Sequence, residues 1–439
     1  MSRKTIKAII LSSLIFFAGV SAYSQDGAYN SYSPYSVFGV GDVLKDGPAY
    51  SRSMGGVGIA SRSHRFVNYM NPASVTARDT LSFMLDVGIK SENKIYHQGG
   101  YSSANNVFNL NDIVLSFPIY RKSAMMVGIT PFSNVGYDFS HYVTDPSIIG
   151  NTGNILYSSS GNGGLYQLFF AGGVTLWDNL SIGAQGIYYF GNIDKTTTMS
   201  FSNTSYREIS SGNILELNAM TGKFGVQYEK KIGDDVNMTL GATYRLASNI
   251  KGYSTEYQFA TISSVRDTLS YSLDTLNTTE KARLGDELGV GISIRKGDKW
   301  TLEFDYIRSD WTGSHFDVAK GFSNIGKASF SPAVSHSFRA GFEIVPNRND
   351  IRYYMRRLAY RVGAYYDTSY YKLDNTGVNS VGLTLGVTLP VFRWYNGISL
   401  GVDIGQKGST QGNLTRERYA MFFVGFNIHD IWFQKYRYN

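Results

Sequence analysis

The amino-acid sequence predicts an all-β fold, a transmembrane antiparallel β-barrel of about 14 strands with an N-terminal plug in its lumen. Three observations carry this: alternation of apolar and polar residues from Thr80 onward, alternation of short and long connections, and a composition poor in charge but rich in glycine and tyrosine. The 439 residues include 47 Gly, 33 Tyr and 26 Phe, and charged residues make up only 17%, below the roughly 25% of a soluble domain. A mean hydropathy of -0.18 excludes a helical membrane bundle, because each spanning helix needs about 20 apolar residues. With no cysteine, disulfides, thiolate metal sites and cysteine nucleophiles are excluded, as is a lipid-modified N-terminal cysteine. The net charge of +7 does not indicate nucleic acid, since Lys and Arg are scattered without a basic stripe or a recognisable motif.

Arg3, Lys4 and Lys7 precede the apolar run Ala8 to Val20, and Ala22-Tyr23-Ser24 has the small-x-small shape of a cleavage site. Residues 1–24 are therefore expected to be a secretory signal peptide, with the mature chain starting near Gln25. Residues 25–79 are too polar and glycine-rich to fold alone. They hold Ser33-Pro34-Tyr35-Ser36, Phe38-Gly39-Val40-Gly41-Asp42, Arg52-Ser53-Met54-Gly55-Gly56 and Asn71-Pro72-Ala73-Ser74. A lumen too wide for wall side chains to fill is a suitable host, so a plug is expected there, a periplasmic tail being the alternative.

Residues 80–430 are expected to form the barrel, followed by a short tail, 431–439. Leu81, Phe83, Leu85, Val87 and Ile89 alternate with Ser82, Met84, Asp86, Gly88 and Lys90, and Val381 to Leu389 repeats the pattern. Short turns are expected at Arg121-Lys122, Trp177 to Asn179, Gly233 to Asp235, Gly297-Asp298, Asn347 to Asp350 and Tyr395 to Gly397. Long loops are expected over 91–106, 138–162, 193–212, 251–283, 311–334, 369–377 and 406–417. That alternation marks periplasmic turns and extracellular loops, which a soluble sandwich with equivalent ends has no reason to produce. Tyr137, Trp177, Tyr188, Tyr189, Trp300, Tyr306, Trp394, Tyr395 and Trp432 suit interfacial girdles, or simply sheet packing.

Asn71-Pro72-Ala73, the wall pattern and a third strand reading Val127-Gly128-Ile129-Thr130-Pro131-Phe132 together resemble the outer-membrane hydrophobic-compound transporter family, the long-chain fatty acid and toluene channel type. The resemblance implies a bacterial outer-membrane location and a plug whose Asn-Pro-Ala sits beside a kinked third strand with a lateral gap. It also implies passive uptake of a hydrophobic small molecule, with outer-membrane lipid as surroundings. The residues agree with a kink: Pro131 has no N–H to donate, Gly128 and Gly136 flank it, and Asn71 has a side chain able to satisfy freed backbone. Pro131 at the rim is the alternative. The expected gate is Asn71, Pro72 and Ala73 with Gly128 and Pro131. Thr384 to Pro390, Gly401 to Gly408 and Asn427 to Phe433 look like a branch of the family found in bacteria with type IX secretion. Relatives there serve as translocon plug or cargo shuttle, so a non-transporting accessory barrel with a protein translocon as partner is the rival expectation, and a surface adhesin acting through 251–283 a third.

No catalytic constellation is evident. The six histidines share no metal spacing, and neither a G-x-S-x-G elbow nor a phosphate-binding loop occurs, so no enzyme, cofactor or metal is expected. Among the ionisable residues on lumenal strand faces, Arg245, Arg295 and Arg361 are candidates to receive a ligand carboxylate, since guanidinium pairs bidentately; a lumenal salt-bridge network is the alternative. Trp311, Phe316 and Phe322, among the aromatics of the expected loops, are candidates to collect a hydrophobic ligand or to pack the loop.

Overall fold

The computed structural model describes residues 31–79, 81–262, 265–276, 281–319, 321–322, 329–391, 396–410 and 414–431. The expected signal peptide, residues 25–30, Trp394, Tyr395 and the tail from Trp432 lie outside these. The wall is built from β1 (Ser82–Gln98), β2 (Tyr101–Tyr120), β3 (Ser123–Val143), β4 (Ile155–Leu176), β5 (Leu180–Phe201), β6 (Glu208–Lys231) and β7 (Val236–Arg245). It continues through β8 (Asp286–Lys296), β9 (Trp300–Asp310), β10 (Val334–Ile344), β11 (Ala359–Leu373), β12 (Thr376–Pro390), β13 (Gly397–Lys407) and β14 (Arg416–Ile431). Each strand pairs antiparallel with its neighbours in the chain, and β14 pairs with β1 from Ser82↔Ile431 to His97↔Arg416. The sheet is thus a closed ring of 14 strands, which leaves no edge to face hydrocarbon.

Alternation settles which face looks where. Ser82, Met84, Asp86 and Lys90 are buried inside the ring, whereas Leu168, Phe170, Leu240, Val290, Phe304, Phe338, Leu383 and Phe422 are exposed on its outside. A continuous apolar outer band on a closed barrel is the surface that lipid solvates, and the chain is an outer-membrane, multi-pass barrel. Trp177 and Tyr188 are exposed, as a girdle requires, but Tyr137 and Tyr189 point inward and are buried.

The long connections differ from expectation. β1 and β2 meet at Gly99-Gly100, and β11 and β12 at Asp374-Asn375, so 91–106 and 369–377 are mainly strand. β6 has 24 residues, over twice the roughly 9 to 11 that cross a bilayer. Over these extensions both faces meet water, so the apolar alternation vanishes although the backbone ladder continues. Above β7 the chain steps over 246–250 and rises again as Lys251–Ile262, paired to β6, then returns as Val265–Thr275. The expected turn Asn347 to Asp350 is part of a longer connection, 345–358, with a 3₁₀ turn at Tyr354–Arg357.

Residues 31–79 are largely buried and hydrogen-bonded to strands on opposite sides of the ring. Their regular pieces are short: 3₁₀ turns at Pro34–Val37 and Pro72–Ala77, a helical turn at Ala49–Arg52 and the two-residue strand Asp42–Val43. This inner segment buries Val40, Val67, Tyr69 and Val75 in the core and is also fastened by polar groups. The Asp305 carboxylate accepts the Gly58 and Ile59 N–H groups at 2.6 and 2.9 Å, Thr384 accepts Gly55 N–H at 2.8 Å, and Arg339 donates to the Gly56 carbonyl at 2.9 Å. Arg62 pairs with Glu229 at 3.0 Å and Asp42 with Lys407 at 2.5 Å.

Glycines on the inner face of neighbouring strands make room for it. Gly173, Gly183 and Gly225 stand level on β4, β5 and β6, and Pro72 lies against all three. Gly341 and Gly363, cross-strand partners on β10 and β11, receive Met54 in the same way. A Cβ on Gly225 would come within 2.1 Å of Asn71 Oδ1 and 2.7 Å of Pro72 Cδ, so no larger residue fits while the segment is seated.

Two stability predictions follow from this seating. Gly225→Val is expected to destabilise by about 1–3 kcal/mol and expose 31–79 to protease, whereas Gly186→Val, whose Cβ meets nothing within 4 Å, leaves both unchanged. Denaturant midpoints in detergent and limited proteolysis check this. Asp305→Ala strands two buried N–H donors and is expected to lower stability by about 1–3 kcal/mol for each. Asp305→Asn, which keeps an acceptor oxygen, is expected to lose less in the same unfolding measurement.

Candidate functional site: the break between β2 and β3

Pro131 lies within β3, where it can donate no ladder bond, and the β3–β4 register shifts between Pro131 and Ser133. On the other edge, pairing with β2 runs from Tyr120↔Ser123 only as far as Ile113↔Ile129. Beyond that point β2 remains paired to β1 and β3 to β4, but among the described residues β2 and β3 no longer pair with each other. Residues 130–137 are all buried, so both faces of β3 are covered and the strand bends into the ring. Gly128 sits just before the bend, where a Cβ would strike the Phe169 ring at 2.7 Å.

The edge that β3 loses is taken up by the inner segment. Asp42↔Asn134 and Val43↔Ser133 form an antiparallel ladder, and Leu44 N–H donates to the Phe132 carbonyl at 2.9 Å. Ser33 N–H donates to the Gly136 carbonyl at 2.7 Å, while Gly136 N–H donates to Ser36 Oγ at 3.0 Å. A Cβ at Gly136 would lie 1.7 Å from the Ser31 carbonyl oxygen, so only glycine admits this contact. Asn71 does not serve the break, contrary to expectation. Its Oδ1 caps the 3₁₀ turn by accepting Ala73 N–H at 3.0 Å, and its Nδ2 donates to the carbonyls of Ile59 at 2.8 Å and Val226 on β6 at 3.2 Å. A side-chain amide makes a few fixed bonds, whereas a run of freed backbone needs another backbone alongside.

Inside the bend the surroundings are apolar. Phe132 packs on Tyr189 with centroids 4.7 Å apart, and Val135, Leu165 and Ile193 are buried in the same cluster. Deeper in, a cavity of about 250 Å³ is lined by both signs of charge. Lys90 and Lys94 share Glu92 at 2.7 and 3.2 Å, Lys223 and Arg245 share Glu287 at 3.6 and 3.4 Å, and Lys45 pairs with Asp367 at 3.3 Å. Lys45 also stands 2.7 Å from the centroid of the Tyr365 ring. These cations are matched within the molecule, so the cavity is polar but largely self-neutralised.

The three candidate arginines do not converge. Arg245 lines the cavity, donates to Tyr189 Oη at 3.3 Å and stands over the Phe132 ring at 5.5 Å. Arg295 donates to the Arg62 carbonyl at 2.5 Å and to Glu229 at 3.2 Å. Arg361 pairs with Glu343 at 2.7 Å, donates to Thr388 and lies over the Phe66 ring. Each is spent on the inner segment or on a neighbouring strand. Trp311, Phe316 and Phe322 do come together: Phe316 stacks on Phe322 at 5.0 Å, and Trp311 lies 6.1 Å from Phe316 and 4.7 Å from Tyr370. All three are buried, so they form the core of an inward-folded loop. Trp311 alone lines the cavity, and Phe316 presses on Gly39 of the inner segment. Sequence reasoning did not single out Ser33, Ser36, Asp42, Val43 or Phe132 as site residues; the signal available was the small-residue and glycine punctuation around Ser33 and Phe38. No group of three or more potential metal ligands occurs among the described residues.

No curated protein sequence matches the chain. Solved structures share its fold at low identity. The Ralstonia pickettii toluene transporter TbuX is 15% identical over 88% of this chain and 98% of its own, with a TM-score of 0.54. The P. putida toluene transporter TodX is 12% identical over 89% and 100%, with a TM-score of 0.57. A Pseudomonas aeruginosa FadL homologue is 11% identical over 89% and 99%, with a TM-score of 0.55. At these identities the likeness is one of fold. The model of the family described as BamG spans residues 5–439, nearly the whole sequence, and the chain belongs to that family.

Proposed function

We propose that this barrel admits a hydrophobic small molecule across the outer membrane through the break between β2 and β3, with residues 31–44 as the movable closure. The observation that carries the reading is the end of the β2–β3 ladder at Ile113↔Ile129, next to the apolar bend around Phe132. An apolar solute held by the outer extensions meets there the one stretch of wall in which strand–strand hydrogen bonds need not break. Releasing residues 31–44 from β3 opens the wall to lipid, and the cost falls on the two-residue ladder, the bonds of Ser33, Ser36 and Leu44 and the Asp42–Lys407 pair, while the strand–strand ladders of the barrel stay intact. In this scheme Asn71, Pro72 and Ala73 are the fixed anchor on β4 to β6, Gly128 and Pro131 set the bend, and motion is confined to the residues before Lys45. The likeness to toluene transporters and a FadL homologue supports the class of solute.

A second reading, a non-transporting accessory barrel that binds protein, is favoured by the ion pairs that take up part of the lining of the central cavity. Disulfide trapping separates the two. The chain has no cysteine, so Val43→Cys with Ser133→Cys can be oxidised without competing thiols. Transport predicts that proteoliposomes take up labelled toluene or oleate faster than empty liposomes, that oxidation removes most of this gain, and that reduction restores it. Uptake equal to empty liposomes for the unmodified protein overturns transport and leaves the accessory reading.

A further inference from the structure

At the short-turn end of the barrel, between the 345–358 connection and the turn after β12, lies a cavity of about 270 Å³. The inner segment contributes Arg65 and Phe66 to its lining, the connection contributes Arg348 and Arg357, and the end of β12 contributes Thr388 and Pro390. No carboxylate lines it among the described residues. That sets it apart from the central cavity, where each cation described above has an acidic partner.

The charges here are only partly matched among the described residues. Arg65 is held to Asp298 through Nη2 at 2.5 Å, but its Nε is buried without a hydrogen-bond partner. The Nε atoms of Arg348 and Arg357 are likewise buried and without a partner among the described residues, and Arg357 lies over the Tyr354 ring at 4.8 Å. Asp350, on the same connection, is committed elsewhere. Its carboxylate accepts the N–H groups of Tyr353 and Arg352 at 2.7 and 2.9 Å and faces Arg356 at 3.4 Å. The Tyr353 N–H contributes most to holding that carboxyl below the usual carboxylate range. The three arginines are half-buried, and bringing several guanidinium groups to one cavity adds mutual repulsion, which an anion from outside the chain would relieve.

We propose that this pocket binds a phosphate group, carried by the headgroup of an anionic phospholipid in the periplasmic leaflet or by free phosphate. Guanidinium donors match the tetrahedral oxygens of phosphate and bind them with charge-assisted hydrogen bonds. Phe66, Pro390 and Val391 supply an apolar flank for a glycerol backbone. Because Arg65 and Phe66 belong to the inner segment while the other arginines belong to the wall, the bound phosphate bridges the two. This site is independent of whether the barrel transports.

The test uses the full-length mature protein in nonionic detergent, titrated by calorimetry with inorganic phosphate and with dihexanoyl phosphatidylglycerol, each against sodium chloride at equal ionic strength. Saturable binding is expected, with affinity falling roughly tenfold or more in Arg348→Gln/Arg357→Gln while the unfolding temperature stays as in the parent. Arg357→Gln alone, a milder change, is expected to fall in between. Binding of the lipid only assigns the site to the membrane headgroup, and binding of both assigns it to phosphate itself. No saturable heat beyond the chloride control, or an unchanged affinity in the double variant, overturns the proposal.

Discussion

Every peptide group that faces hydrocarbon must find its hydrogen-bond partner within the protein, and this architecture is arranged around that requirement. The ring of 14 strands meets it by closure, with β14 returned to β1. At the break the same requirement reappears locally. Once Pro131 bends β3 away from β2, the freed edge is not left to lipid; Asp42, Val43 and Leu44 stand in for the missing strand. The inner segment thereby keeps the β3 backbone satisfied where β2 no longer does.

The replacement works only because the inner segment is held against the wall with little freedom elsewhere. Its short turns satisfy part of its backbone, and the wall supplies further partners: Asp305 to Gly58 and Ile59, Thr384 to Gly55, Arg339 to Gly56. Such bonds need close approach. The level glycines of β4, β5 and β6 permit it at Pro72, which a Cβ on Gly183 would approach to 2.4 Å and one on Gly225 to 2.7 Å. Close packing of small residues and polar fastening are here one device seen from its two sides.

Charge is divided between two regions of the lumen with different logic. In the central cavity, lysines and arginines share carboxylates, so burial is tolerated through pairing and the groups are not free to capture a ligand ion. At the short-turn end, the Nε atoms of Arg348 and Arg357 have no partner among the described residues. The first region acts as internal scaffolding. The second adjoins the inner segment through Arg65.

The periodicity of the sequence determined the barrel. Residues such as Leu383 and Asp86 have opposite solvents, and strand geometry turns that alternation into outside and inside with no further information. Pro131 likewise marked the bend, because its missing donor is a property of the residue alone. Where alternation lapses, as in the extensions above the membrane, strand was taken for loop, since two wet faces leave no pattern to follow. The tertiary structure decided which groups meet. Asn71 caps its own turn and reaches β6 instead of the break, and Arg245, Arg295 and Arg361 are spent on three separate partners. These pairings join residues up to hundreds of positions apart, such as Asp42 and Lys407, and the side of the ring on which each strand stands exists only after closure. Local rules act over a few residues, whereas partner choice in a lumen is fixed by the circumference of the ring.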